Sequence, residues 1–287
     1  MTPSDISLAD WVADTADRAE QEFRQAVHTI LTALAGVSGG AEWLALKGAV
    51  LLSLRYGFSR ETRDIDFSTE KLYSEFDPDE FRAELEAGLT DATEALPYGL
   101  ACRIQSQEVR PKGEGSTYQT LRFRIGYAPK LDASRLRRLQ SQHGATTLVT
   151  LELSFNEPLC ALEVLRDGER IRVPAYALTD LLAEKLRAIL QQPVRNRIRP
   201  QDALDIYVLL QRDGPQPAEF RTRVLESLKV KSAARELAIT RASIRDPEVR
   251  RRSERDYQTL ESQIPMPLPP FDTVFGVIIE YYESLPW

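Results

Sequence analysis

The chain has 287 residues, a net charge of −6, and 43% hydrophobic and 28% charged residues. Such values are typical of a folded globular protein, and the length predicts about two domains. No run of 18 consecutive apolar residues is present, so no transmembrane helix is predicted. The N-terminal residues are acidic and polar, unlike a secretory signal, and two cysteines make no disulfide framework. We therefore expect a cytoplasmic protein without membrane contact.

Only two histidines, His28 and His143, are present, which disfavours a histidine-rich zinc site.

The first hundred residues alternate between helical and strand-like patterns. Apolar residues at helical spacing predict one long or two short helices over residues 8–35, ended by the GVSGG segment at 36–40. The segments that follow are a short strand or turn at 42–47, a helix at 48–56, a strand at 62–68 and a helix at 77–96.

The middle of the chain has strand periodicity and the end has helical periodicity. Alternation in residues 121–127 and 150–155, with a hairpin signal at Asp167-Gly168, predicts a β-rich segment. Helices are predicted at 179–192, 201–212 and 274–282, with Gly214-Pro215 in a connection. These patterns predict an α/β lobe over residues 1–175 and a helical lobe over residues 176–287.

Two aspartates in the predicted strand at 62–68 could hold a metal ion. Side chains alternate across a strand, so Asp64 and Asp66 share one side while Ile65 and Phe67 face a core. Two neighbouring carboxylates repel each other unless a cation lies between them, and Mg²⁺ bound by one or two carboxylates plus phosphates is a common arrangement. Taken alone, the pair is equally consistent with two solvated surface aspartates.

Lys47-Gly48 lies at the predicted entry of the helix at 48–56. Glycine there lets a phosphate approach the backbone, and a helix N-terminus favours negative charge. The alternative is an ordinary glycine at a helix start. A phosphate contact followed within about 20 residues by a metal-binding strand is typical of a nucleotidyltransferase site.

A third carboxylate is expected on a neighbouring strand, since two-metal nucleotidyl transfer usually needs one. Glu152 is the candidate, because it alternates with the core residues Leu151 and Leu153. The alternative is a solvated strand glutamate, and Glu157 is a weaker substitute.

Lys185 falls within the apolar stripe of the predicted helix at 179–192, between Leu181 and Ile189. A lysine in that position either extends its ammonium past the edge of the core or meets an anion. The next helix offers Asp202 and Asp205 on one face, with helix capping as the alternative role for Asp202.

Two blocks of residues resemble the AbiEii/AbiGii family of nucleotidyltransferase toxins. The first is LKGAVLLSLRYGFSRETRDIDF at residues 46–67, which matches the family at Lys47, Gly48, Arg60, Thr62, Asp64 and Asp66. Ala49 stands where a second glycine is common. The second block matches at Ala183, Lys185, Ala188, Asp202, Asp205 and Ile206. Gln201 replaces the usual arginine, and Arg199 is the nearest one.

The resemblance implies a nucleotidyltransferase-like mixed sheet with flanking helices and a helical C-terminal lobe. It also implies a bacterial toxin that transfers a nucleoside monophosphate from an NTP to an acceptor, which we expect to be the tRNA 3′ end, and a cognate antitoxin protein. Transfer to a protein side chain and nucleotide binding without turnover are the alternatives.

Each candidate residue has an expected role in that reaction. Asp64, Asp66 and Glu152 would ligate Mg²⁺ or Mn²⁺, and Lys185 and Asp205 join them as catalytic residues. The nucleotide-binding residues would be Lys47, Gly48, Arg60, Thr62 and Asp202. Of these, Lys47 and Gly48, with Lys185, would contact the triphosphate.

A basic stretch lies near the C-terminus, with seven arginines between residues 235 and 255. It could hold the phosphate backbone of an RNA acceptor, together with Arg122 and Arg124. The alternative is a solvated helix face that also carries Glu236, Glu248 and Glu254.

Overall fold

The computed structural model describes residues 3–37, 43–111, 117–141, 144–169, 171–212 and 216–287. The predictions for residues 38–40, for His143 and for Gly214-Pro215 lie outside these ranges. The chain divides into two compact units. The first unit consists of Met1–Gly57 and Thr62–Ala175, and the second of Phe58–Glu61 and Tyr176–Trp287.

The first unit is built on a mixed sheet whose strands lie in the order β1-β7-β8-β2-β3-β6-β5-β4. The strands are β1 Pro3–Asp5, β2 Ala45–Lys47, β3 Asp64–Ser68, β4 Leu100–Arg110, β5 Thr120–Pro129, β6 Leu148–Ser154, β7 Leu162–Asp167 and β8 Ile171–Tyr176. The helices are α1 Leu8–Ala13, α2 Arg18–Gly36, α3 Gly48–Tyr56, α4 Pro78–Ala95 and α5 Ala133–Gln140. Strands β3 and β6 run parallel, whereas β2 is antiparallel to β3 and β5 is antiparallel to both β6 and β4.

One face of this sheet is apolar because alternate residues of its central strands are apolar. Ile65, Leu151, Leu153 and Phe123 are all fully buried. Helices α2 and α4 pack against each other and against β4. Each such side chain contributes about 1.5–3 kcal/mol by leaving water. The central strands are therefore fixed in register, and their other face is left for polar residues.

The second unit is helical. Its helices are α6 Leu178–Leu190, α7 Gln192–Arg195, α8 Pro200–Arg212, α9 Ala218–Ala233, α10 Pro247–Glu254 and α11 Phe271–Glu283. Helix α6 packs against α8 and α9, and α11 packs against α8. Among the described residues of both units, no helix combines the length and the apolar character needed to cross a bilayer.

The predicted mixed α/β fold with a helical C-terminal portion is confirmed, and several elements differ in detail. The N-terminal segment forms two helices because Asp14 ends α1 and the side chain of Asp17 caps α2 at the backbone N–H of Glu20. Strand β4 was not predicted, because a register shift between Ile104 and Ser106 interrupts the alternation of its residues. The arginine-rich stretch at 235–255 contains turns, a 3-10 helix at Ser243–Arg245 and the short helix α10.

Candidate functional site

Four charged side chains form a row across the polar face of the first unit's sheet. Lys47 on β2 is in register with Asp66 on β3, Asp66 with Glu152 on β6, and Glu152 with Arg122 on β5. Side chains in register share a face, with Cβ atoms of neighbouring strands about 5 Å apart. The row therefore places two carboxylates between two cations. Asp64 lies on the same face, two residues before Asp66, and is exposed.

Gly48 is in direct contact with the carboxylate of Asp66. It is the first residue of α3 and has φ +74°, which disfavours residues with a Cβ. A Cβ built on Gly48 would lie 2.2 Å from Oδ2 of Asp66 and 3.0 Å from its Cγ. Backbone conformation and space thus both require glycine here, so that the Asp66 carboxylate can lie at the helix N-terminus.

Glu152 is held by an arginine that the sequence predictions did not pair with it. Arg122 donates from Nη2 to Glu152 and from Nη1 to Glu108 at 3.4 Å. Burial lowers the pKa of Arg122, but the charges of Glu152, Glu108 and Asp64 outweigh it and raise the pKa overall. The alternation of β5 places Arg122 opposite Glu152, but only the strand order β3-β6-β5 reveals the pair. Glu157 lies beyond the end of β6, outside this row.

The carboxylates fit a metal that takes part of its coordination from substrate. Among the described residues, no group of three or more His, Cys, Asp or Glu side chains is arranged to hold an ion. Asp64 and Asp66 share a face, and Glu152 is next to Asp66 but ion-paired with Arg122. Mg²⁺ needs only one or two carboxylates when phosphates and waters supply the remaining ligands. The donor set therefore suits Mg²⁺ or Mn²⁺ bound together with a nucleotide.

Thr62 fixes the start of β3. Its Oγ1 accepts a hydrogen bond from the backbone N–H of Asp64 at 3.2 Å. This bond orients the backbone from which Asp64 extends.

In the second unit, Arg60, Lys185, Asp202 and Asp205 form one network. Lys185 Nζ donates to Oδ2 of Asp205 at 2.6 Å and to Oδ1 of Asp202 at 3.2 Å. Arg60 donates to both oxygens of Asp205, at 3.1 and 3.4 Å. Arg199 completes the series by donating to Asp202 at 3.4 Å. Positive and negative groups alternate along this network, which has three cations and two carboxylates.

Burial makes the pairing in this network necessary. Lys185 is 5% exposed and Asp205 is 0% exposed. Burial lowers the pKa of Lys185, but Asp205 and Asp202 more than offset this, so the pKa is raised. Burial raises the pKa of Asp202, but Lys185 and Arg199 more than offset this, so the pKa is lowered. Of the two alternatives for a lysine in the apolar stripe, the structure shows the one in which the ammonium of Lys185 meets anionic partners.

At least four of the seven arginines of the 235–255 stretch form ion pairs with nearby acids. Arg245 pairs with Glu283, Arg250 with Asp272, and both Arg251 and Arg252 with Glu248. Hydrogen bonds from Arg251 and Arg252 lower the pKa of Glu248 to about 2. Much of the positive charge of this stretch is therefore compensated within the second unit.

The fold is that of nucleotidyltransferase toxins. It is shared with MenT4, a nucleotidyltransferase toxin of Mycobacterium tuberculosis H37Rv, at a TM-score of 0.55 and 14% sequence identity, over 97% of this chain and 89% of MenT4. It is also shared with JHP933 from Helicobacter pylori, at a TM-score of 0.50 and 17% identity, over 94% of each chain. No curated protein matches the chain in sequence. The profile of the family described as nucleotidyl transferase AbiEii toxin, Type IV TA system, matches residues 29–277, and the chain belongs to this family.

Proposed function

We propose that this protein transfers a nucleoside monophosphate from an NTP to the 3′ end of a tRNA, in a reaction that requires Mg²⁺ or Mn²⁺. The family supports nucleotidyl transfer by a toxin with an antitoxin partner. The observation that carries the proposal is the row in which Asp66, in contact with Gly48, lies between Lys47 and Glu152. It combines a backbone turn suited to phosphate with carboxylates suited to a divalent cation.

In the proposed reaction the acceptor hydroxyl oxygen forms a bond to the α-phosphorus of the NTP. The bond from the α-phosphorus to the oxygen that bridges to the β-phosphate breaks, and pyrophosphate leaves with that oxygen. Asp64 and Asp66 would hold a divalent cation, which supplies charge neutralisation at the phosphates. Glu152, kept in place by Arg122, accepts the proton of the acceptor hydroxyl and would also complete the carboxylate ligands of the cation.

The phosphates are assigned to the N-terminus of α3 and to the cations around it. Lys47, the N-cap of α3, makes no side-chain capping bond within the described part of the chain. We assign the phosphates to the first backbone N–H groups of α3 and to the Lys47 ammonium, beside the Asp66 carboxylate and the cation that it would hold. In this proposal Thr62 contributes to nucleotide binding by placing Asp64, since its Oγ1 accepts a hydrogen bond from the backbone N–H of Asp64.

The charged network of the second unit is assigned to nucleotide binding. It brings three cations, Arg60, Lys185 and Arg199, into contact with the two carboxylates of Asp202 and Asp205. Lys185 has both acids as partners, and Arg60, with 15% of its side chain exposed, is more accessible than Lys185 with 6%. In this proposal Asp205 orients Arg60 and Lys185, Asp202 completes the neutralisation of Lys185, and Arg60 is the cation that meets phosphate.

The test is an incubation of the protein with each of the four α-labelled NTPs, in the presence of tRNA and of total cellular protein. We expect label on tRNA, loss of labelling with a chelator, and recovery with Mg²⁺ or Mn²⁺. Asp66→Asn should abolish labelling, whereas Asp91→Asn, an exposed aspartate of α4, should not. Label on protein would instead support protein modification, and NTP binding without any label would support a non-catalytic module.

A further inference from the structure

Four exposed arginines form a strip on the first unit, named here the arginine strip: Arg103, Arg124, Arg137 and Arg138. Arg124 lies on the polar face of β5, in register with Thr150, which is itself in register with Asp64. Two strand spacings separate Arg124 from Asp64, which corresponds to about 10 Å between their backbones. The strip therefore begins beside the proposed metal-binding aspartates.

The strip continues away from the aspartates onto β4 and α5. Arg103 is in register with Gly126, two residues beyond Arg124 on the same face. The C-terminal end of α5 lies over this part of the sheet, since a Cβ on Gly126 would approach Leu139 Cδ1 to 2.7 Å. Arg103 also donates to the backbone oxygen of Gln140 at 3.3 Å. Arg137 and Arg138, in the last turn of α5, extend the positive surface in this direction.

The charge of the strip is uncompensated, unlike that of the 235–255 stretch. No ion pair joins any of its four arginines to a residue that the structure describes. The acids diagonal to Arg124 on the neighbouring strands are already paired, Glu108 with Arg110 and Arg122, and Glu152 with Arg122. A polyanion can bind the strip without breaking existing ion pairs, whereas at Arg245, Arg250 or Arg251 it would displace a carboxylate. Guanidinium groups also match phosphate geometry, because they can donate two parallel hydrogen bonds.

We propose that the arginine strip binds the phosphodiester backbone of an RNA acceptor whose terminal hydroxyl reaches Asp64 and Asp66. The inference rests on the proposed function for the reaction, and it assigns acceptor binding to the strip instead of the 235–255 stretch. An RNA whose end lies at these aspartates carries a phosphate on every following nucleotide, and the strip supplies cations along one continuous path from that point.

The experiment compares two variants with equal loss of charge. The strip variant combines Arg103→Gln, Arg124→Gln, Arg137→Gln and Arg138→Gln, and the control variant combines Arg245→Gln, Arg250→Gln, Arg251→Gln and Arg255→Gln. Arg122 is left intact because it holds Glu152. Binding of fluorescent unfractionated tRNA is measured by anisotropy, without NTP, between 50 and 300 mM salt.

Each phosphate contact contributes about 0.7–0.9 to the slope of log K against log salt, so four lost contacts should reduce the slope by about 3. We expect this reduction and an affinity loss of about tenfold or more for the strip variant only. Unchanged thermal unfolding and NTP binding would show that it is folded. Unchanged tRNA affinity and slope in the strip variant, or an equal loss in the control variant, would overturn the inference.

Failure of the inference can be told apart from failure of the proposed function. If the wild type labels tRNA and the strip variant binds and labels it equally well, the inference about the arginine strip is wrong and the proposed reaction is supported. If the wild type never labels tRNA but only the strip variant loses tRNA binding, the strip stands and the proposed reaction is wrong.

Discussion

Gly48→Ala should damage stability and activity through one identifiable contact. An L-residue at a positive φ costs about 1–2 kcal/mol. The added methyl would also lie 2.2 Å from Oδ2 of Asp66, and overpacking of this kind adds about 1–3 kcal/mol. We therefore expect the free energy of unfolding to fall by about 2–5 kcal/mol. Relief of the overlap requires the carboxylate to move by about 1 Å, a displacement that can reduce turnover about 100-fold.

Two comparisons separate this overlap from backbone strain. Gly99 has φ +61°, and a Cβ there would meet no described atom within 4 Å, so Gly99→Ala should show the strain alone. In an Asp66→Ala background the cost of Gly48→Ala should shrink toward that of Gly99→Ala, because the closest atoms are gone. Chemical denaturation of the four single and double variants measures each cost. Equal costs for the two glycines, or a Gly48 penalty that Asp66→Ala does not reduce, would refute the reasoning.

Three further predictions follow from the other contacts. Lys185→Met leaves the buried Asp205 and Asp202 without the cation that they share. The free energy of unfolding, measured with denaturant, should therefore fall by about 3–5 kcal/mol. A fall of less than about 1 kcal/mol would contradict the pairing of Lys185 with these two aspartates. Because the pKa of Asp202 is lowered in the folded state, its stabilising contribution is complete above its unfolded value near 4 and is lost as pH falls through the lower folded value. Unfolding measured from pH 7 down to pH 2 should show this loss, and Asp202→Asn should reduce it. Glu152→Gln should lower kcat for labelling about 100-fold or more with little change in KM for the NTP, as expected for loss of a proton acceptor. An unchanged kcat would show that Glu152 does not accept the proton of the acceptor hydroxyl.

Sequence periodicity was sufficient to predict which way a side chain faces, because that depends only on the helix or strand that contains the residue. Strand alternation predicted that Asp64 and Asp66 share a face, and the apolar stripe of α6 identified Lys185 as a lysine that must either extend past the core edge or meet an anion. Periodicity could not supply relations between elements. The pairing of Arg122 with Glu152 depends on the order β3-β6-β5, in which strands distant along the chain become neighbours. The charge balance of the 235–255 stretch likewise depends on Asp272 and Glu283, which lie on another helix.

The short segment Phe58–Glu61 limits how this protein can be divided. It belongs to the second unit although first-unit residues flank it on both sides. Arg60 is bound to Asp205, and the backbone N–H of Glu61 donates to the carbonyl of Gln263 at 2.8 Å. A fragment that ended at residue 175 would lose both of these partners. A chimera that exchanged the helical units of two relatives would therefore have to exchange these four residues as well. The two units are for this reason poorly suited to recombination as separate modules. A C-terminal truncation is equally unsuited as a minimal form of the enzyme.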